Sequence, residues 1–248
     1  MFSIMKLFLS LFLTPVYYIV FFLLLLIFHP IQFVCLNVFG YTAHKRSVDV
    51  LNWALVQCMK IMGTHIQYKG FNKLPLNKSK IFVCNHQSMW DISPLIWILR
   101  PYHLKFISKK ELSKGIPSIS YNLKYGGSVC IDRDDPAESK LLIGKFAEYI
   151  KAHNYSVCIF AEGSRSRDGQ LKPFKRGGVK AMLEVMPEAC IVPIAIKDTC
   201  KFDNHGKFLK NACINVEFTM LEPREFDISD LPKQMDQIRA EISHCISN

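Results

Sequence analysis

The 248-residue chain has no C-x-x-C pair, no low-complexity tract and no internal repeat. The first absence argues against a zinc site. Nine irregularly spaced cysteines, an odd number, also argue against a disulfide framework. Cys84, Cys130 and Cys158 sit inside apolar runs and read as small core residues in a reducing compartment. The second and third absences exclude disordered and solenoid architectures. Charge is also missing locally: no Lys, Arg, Asp or Glu occurs from Leu7 to Thr42.

What is present is a strongly apolar start and a basic remainder. Half of the chain is apolar, enough for a sizeable core, and the formal charge is +10. A basic excess attracts polyanions: nucleic acid, anionic lipid or phosphorylated substrates. "LFLSLFLTPVYYIVFFLLLLIF", residues 7–28, exceeds the roughly 20 residues that cross a bilayer. A cleaved signal peptide would have an apolar core of about 7–15 residues and a small-residue cleavage site. Here the run is longer and no A-x-A follows. Pro15 and the pair His29-Pro30 are expected to bend or break helices. The segment therefore either spans the bilayer or forms a helical hairpin in one leaflet. His44, Lys45 and Arg46 mark the interface, on the cytoplasmic side by their charge.

The spacing of Leu51, Leu55, Cys58, Met59 and Met62 predicts a helix over 47–63, with Ser47 able to cap it and Gly63 to end it. Short β-type runs follow at 65–70, 80–84, 104–108, 128–132, 155–160, 190–196 and 213–220. Helical segments at 88–99, 136–153, 177–186 and 233–246 lie between many of them or after the last. This alternation predicts an α/β fold: a single mixed or mostly parallel sheet flanked by helices, behind an N-terminal hydrophobic helical membrane anchor. Such sheets bind ligands at the carboxyl ends of their strands.

Three strand ends carry more than turn chemistry. "KIFVC" runs into "NHQSMWD". On one straight helix, His86 and Asp91 would sit about 140° apart. With Ser88 as N-cap, His86 falls in the loop and Asp91 can fold back toward it. The carboxylate then holds one imidazole nitrogen and leaves the other free to take a proton. Ser88 to Asp91 also reads as a plain capping box, and Cys84 with His86 as a thiolate–imidazole pair. "FAEGSRSRDG" offers Glu162, Gly163, Ser164 and Arg165, groups suited to phosphate, or else a solvated basic loop. It lacks the Gly-Lys-Ser/Thr ending of a P-loop and the G-x-S-x-G elbow of a serine hydrolase. "GSVCIDRDD" places Arg133 beside three aspartates.

In this order, "NHQSMWD", "GSVCIDR", "FAEGSRS" and "IVPIAI" resemble the four motifs of the 1-acyl-sn-glycerol-3-phosphate acyltransferase family of glycerolipid acyltransferases. "KFISKKEL" and "PFKRG" fit as well, so the resemblance covers about 65–200. Ala161 stands where the family has Pro, and Ser164 where it has Thr.

The apolar start sets off an anchor over 1–44, and the resemblance makes the remainder, 45–248, an acyltransferase domain. The resemblance implies that His86 is the general base and that Asp91 orients it. Arg133, Glu162, Gly163, Ser164 and Arg165 would bind the acceptor, and Pro193 would shape the acyl or acceptor site. A fatty acyl group would pass directly from acyl-CoA or acyl-acyl carrier protein to lysophosphatidic acid, giving phosphatidic acid, with no acyl-enzyme, bound cofactor or metal. The partner would be the lipid bilayer, at the inner or cytoplasmic membrane, with the catalytic domain facing the cytoplasm.

Rival readings are an acceptor such as glycerol 3-phosphate or another lysolipid, a non-catalytic membrane-anchored lipid-binding protein, and a thioesterase using Cys84. Nucleic-acid binding lacks any recognisable module.

Overall fold

A computed structural model describes residues 2–71, 74–132 and 135–247. Two helices open the chain, α1 (Phe2–Phe39) and α2 (Tyr41–Met59), joined at Gly40, whose φ of 80° turns the chain back. The Cys58 Sγ lies 3.6 Å from the Tyr17 carbonyl, so α2 returns along α1. Seven strands follow: β1 (His65–Lys69), β2 (Lys80–Cys84), β3 (Leu104–Lys109), β4 (Val129–Ile131), β5 (Ser156–Phe160), β6 (Cys190–Lys197) and β7 (Asn215–Met220). Between and after them lie α3 (Ile92–Ile98), α4 (Ile119–Tyr125), α5 (Pro136–His153), α6 (Gly177–Val185), α7 (Thr199–Phe202) and α8 (Leu231–Ser247).

The strands form one mixed sheet in the order β1-β7-β6-β2-β5-β3-β4. All pairs are parallel except β6 with β7. The carboxyl ends of β2 to β6 therefore share one edge. Side chains alternate along each strand, and the two faces are different. Phe82, Cys84, Phe106 and Cys158 meet an aromatic layer that includes Tyr17, Phe21, Trp90 and Phe202. Ile81, Val83, Val157 and Ile159 meet aliphatic side chains of α5, α6 and α8.

Two expectations about the first helices are corrected. Pro15 and Pro30 lie inside α1 and do not end it. Ser10, Thr14, Tyr17, Phe21, Leu25 and Gln32 form one buried stripe spanning both prolines, so docking on the domain overrides the local cost. Ser47 caps nothing. The second helix starts at Tyr41, and the Ser47 hydroxyl donates back to the His44 carbonyl at 2.7 Å. Charge and caps gave no sign of this start, because the turn rests on Gly40 alone.

The outer side of α1 is exposed and apolar, from Leu7 and Phe8 through Phe22, Leu23, Leu26 and Ile27 to Phe39. At about 1.5 Å per residue the helix is far longer than a bilayer's roughly 30 Å core. It is nevertheless pinned sideways to the domain. The Ser10 hydroxyl accepts from Ala212 N at 3.0 Å, and the Thr14 hydroxyl from Lys210 N at 3.1 Å. At the other end, the Ser118 hydroxyl donates to the Leu25 carbonyl at 2.7 Å.

Candidate active site

The carboxyl end of β2 leads into Asn85, His86, Gln87 and Ser88. Asn85 is buried and extends the sheet with its side chain. Its Oδ1 accepts from Ile196 N at 2.7 Å, and its Nδ2 donates to Ile196 O at 2.8 Å. Ser88 then caps a tight turn over Met89–Asp91 that continues into α3. The capping box is complete, with Ser88 Oγ accepting from Trp90 N and Asp91 Oδ2 accepting from Ser88 N.

The Asp91 carboxylate is buried and fully occupied. Oδ2 also accepts from Gln87 N at 2.8 Å and lies 2.8 Å from His86 Nδ1. An acceptor already holding two backbone N–H groups fixes the tautomer, so Nδ1 carries the proton and Nε2 keeps its lone pair. Oδ1 accepts from the Thr199 hydroxyl at 2.5 Å. His86 itself is partly exposed, 14% by side chain. Its ring stacks on Phe160 at 3.9 Å between centroids.

The loop after β5 clasps the histidine's backbone. Ser166 N and Oγ both donate to His86 O, at 2.7 and 3.0 Å. Glu162 is buried. Its Oε1 accepts from His86 N at 2.7 Å and its Oε2 from Lys172 N at 2.9 Å. Burial pushes the Glu162 carboxyl up, against the pull of those hydrogen bonds. Its side chain thus braces the site from inside.

Gly163 has a φ of 68°, which favours glycine, and a Cβ there would lie 2.9 Å from Lys175 Cδ and push that side chain aside. Ser164 and Arg165 are exposed, and Lys172 Nζ reaches both, at 3.1 Å from Ser164 Oγ and 2.6 Å from Arg165 O.

The structure therefore gathers His86, Asp91, Glu162, Gly163, Ser164 and Arg165 at one strand edge. It does not bring Pro193 there: this residue sits within β6, level with Val83. Arg133 lies outside the described residues. Cys84 is fully buried, with its Sγ 3.5 Å from Cys158 Sγ, and burial pushes its thiol up. The reactive-thiolate reading is thereby removed.

The reading of the sequence missed Asn85, Thr199 and Ser166 as partners of the site. The available signal for Thr199 was the polar stretch Lys197-Asp198-Thr199 that follows the apolar run of β6.

Beside the turn at Met89–Asp91, an apolar cavity of about 160 Å³ runs beneath α1 and α2. Phe21, Leu51, Leu55, Trp90, Phe106 and Ile119 are among its walls. Among the described residues no His, Cys, Asp or Glu group is arranged to hold a metal ion.

Comparisons with known proteins bear on the fold and the family. The fold is similar to the crystal structure of the 1-acyl-sn-glycerophosphate (LPA) acyltransferase PlsC from Thermotoga maritima. That match has a TM-score of 0.74 and 19% identity, and covers 99% of this chain and 98% of that one. The 1-acyl-sn-glycerol-3-phosphate acyltransferase of Salmonella typhimurium is 31% identical over 166 residues, 66% of this chain and 63% of that protein. The alpha form from Ovis aries is 25% identical over 197 residues, 78% of this chain and 67% of that protein. The chain spans about two thirds or less of the length of these curated relatives. The family model described as Acyltransferase matches residues 65–197, more than half of the chain and the whole stretch from β1 to the end of β6, and the chain belongs to that family.

Proposed function

We propose that this protein is a membrane-bound acyltransferase that transfers a fatty acyl group from a thioester to the free hydroxyl of 1-acyl-sn-glycerol 3-phosphate, forming phosphatidic acid. The observation that carries the reading is the hydrogen-bonded His86–Asp91 pair, with Nε2 left to take a proton, on a turn whose Met89 and Trp90 line an apolar cavity that also meets Phe21 of α1. The names of the relatives supply the acceptor.

The chemistry follows from the tautomer. His86 Nε2 takes the proton of the acceptor hydroxyl as its oxygen attacks the thioester carbonyl. Asp91, itself held by the Thr199 hydroxyl, holds the ring and stabilises the imidazolium that forms. The tetrahedral intermediate collapses, the C–S bond breaks, and the imidazolium returns the proton to the leaving sulfur. The products are an ester and a thiol, and no acyl-enzyme forms. The acyl chain occupies the cavity beneath α1 and α2. Arg133, Glu162, Gly163, Ser164 and Arg165 form the acceptor region: Glu162 as a brace, and the exposed Ser164 and Arg165 toward the phosphate.

General base catalysis supplies about 10²–10⁴-fold, so positioning must contribute much of the remainder. Each buried CH₂ is worth about 0.8 kcal/mol, so lifting a long chain into water is prohibitive, and the site must touch the bilayer. A helix pinned along the domain from Ser10 to Leu25 cannot stand alone through a membrane. The outer face of α1 therefore rests in one leaflet, with the domain on the cytoplasmic side. The domain division at about residue 44 belongs to the same reading: apolar seat before it, catalytic unit after it.

The test is a panel of acceptors in mixed vesicles with the full chain: lysophosphatidic acid, glycerol 3-phosphate, and a lysolipid without a free phosphate monoester. The expected result is fastest turnover on lysophosphatidic acid. Turnover confined to a phosphate-free acceptor overturns the acceptor assignment, and no turnover with any acceptor or donor overturns the activity.

A further inference from the structure

A second, larger cavity lies on the opposite face of the sheet. It encloses about 500 Å³ between α5, α6 and the ends of β3, β4 and β5. That volume is in the range of small-molecule sites. Its floor is Ile107, Ile131, Ile143 and Ile159, and its rim carries the exposed Lys140, Lys175 and Lys180. Among the described residues, neither Lys140 nor Lys175 forms an ion pair, and Lys180 is paired only loosely, 4.0 Å from Glu184. The first residues of α6, Gly177 and Gly178, also line it, and Arg176 provides no side-chain cap for that helix. A basic rim next to an uncapped helix start favours an anion above an apolar floor.

The position of this cavity matters more than its size. Phe160 lines it and also stacks on His86. Gly163, in the loop that braces the histidine, lines it as well. Phe106 belongs to the other cavity and lies 6.1 Å from Phe160, ring to ring. Neighbouring residues of β3 divide between the two: Ile107 faces this cavity and Ser108 the one beneath α1 and α2. His86 thus stands at the strand edge between two cavities on opposite faces.

An acyl thioester has two arms that leave its carbonyl in different directions. One is a hydrocarbon chain. The other is an amide-bearing pantetheine arm that ends in a phosphate. Resting on the acyl-transfer reading above, we propose that the α5–α6 cavity holds the phosphopantetheine arm of the acyl donor, with its phosphate on Lys140 and Lys180, while the acyl chain enters the cavity beneath α1 and α2. The same arm is carried by coenzyme A and by acyl carrier protein, so one cavity would serve either source.

The experiment uses the full chain in vesicles containing lysophosphatidic acid, with palmitoyl-coenzyme A and palmitoyl-acyl carrier protein as separate donors. Two variants are compared with the parent: Lys140→Gln with Lys180→Gln, and Gly177→Phe. A Cβ at Gly177 meets nothing within 4 Å, so a ring there enters open space. Both variants should raise KM for the donor about tenfold or more and leave KM for lysophosphatidic acid unchanged. The donor that shows the rise identifies the source of the arm. Direct binding of coenzyme A and of holo-acyl carrier protein is measured in parallel, and each variant should weaken the binding of at least one of them. A rise in acceptor KM alone would assign the cavity to the acceptor and overturn the proposal. Unchanged donor KM and unchanged binding of both probes would also overturn it. A parent protein that binds a donor but transfers nothing would sink the acyl-transfer reading and leave the cavity assignment standing.

Discussion

The two faces of one sheet are built for different neighbours. The face toward α1 is aromatic and buries ions, including the Asp203–Lys210 pair, whose Oδ1 to Nζ distance is 2.6 Å. Asp203 also accepts from Trp90 Nε1 at 2.9 Å, and Lys210 N donates to Thr14. The turn that carries Asp91 is therefore tied directly to the apolar helix. The opposite face is aliphatic, and the helices over it turn charged sides to water. Ile238 and Ile242 of α8 are buried there, while Lys233 and Asp236 are exposed. Breakage on the first face should disturb the seating of α1 and chemistry together, whereas breakage on the second, under α8 and away from the α5–α6 cavity, should disturb stability alone.

The largest effect tests the site between the faces. His86→Ala should lower turnover about 10³-fold or more while vesicle binding and the melting temperature stay near those of the parent. Retained turnover would remove His86 as the base.

A matched pair then tests the contrast itself. Ile238→Ala should cost about 2–5 kcal/mol in stability without changing kcat per folded molecule. Tyr17→Ala removes a ring packed within 5.3 Å of Trp90 and 5.8 Å of Phe202, centroid to centroid. A comparable loss of about 3–5 kcal/mol should come with a fall in kcat. Equal kcat in the two folded variants would erase the functional difference between the faces.

Thr199→Val keeps the shape and removes one hydrogen bond to Asp91. Turnover should fall about tenfold, the weight of roughly 1.4 kcal/mol, and Thr199→Ser should restore most of it. A merely structural threonine would shift the melting temperature and leave the pH profile of kcat where it was.

The smallest effect concerns another ion buried beside the first two helices. Lys105 is almost fully buried beneath α2, with its Nζ 2.6 Å from the Tyr41 hydroxyl and near Lys45, Asp49 and Tyr155. Burial, helped by the Lys45 charge, brings its amine down to about 7. Between that value and the free lysine value the unfolded chain binds more protons, so stability rises with pH across this window. Lys105→Met should stabilise by about 1–2 kcal/mol near pH 6, a gain that fades toward pH 10. Melting curves at both pH values check the sign.

Much of this organisation was legible in the sequence. Each of the seven strands falls within a residue or two of its expected run, because the runs are short, apolar and bounded by turns. α5 matches its expected span, set by Asp135 as N-cap and Asn154 at its end. The hydrogen bond between His86 and Asp91 follows from the capping residue Ser88, a local rule. What escaped was long-range. Nothing near Pro15 shows that Lys210 and Ala212 will fasten the helix on its N-terminal side and keep it continuous through the proline. Nothing near Asp91 names Thr199 as its second partner, since that contact depends on β6 lying beside β2. Glu162 shows the same limit: its motif suggested a ligand-binding group, and its buried oxygens hold two backbone N–H groups.

The seat of α1 has a consequence in time. The helix is made first, but the backbone groups that receive Ser10 and Thr14 lie 202 and 196 residues later. At about 5–20 residues per second, roughly ten to forty seconds of synthesis pass before its dock exists. During that interval the stripe of Tyr17, Phe21 and Leu25 has only α2 to pack against. The seat of α1 is thus completed only when residues 210–212, just ahead of β7, have been made, so the first helix described is among the last parts of the molecule to be fastened.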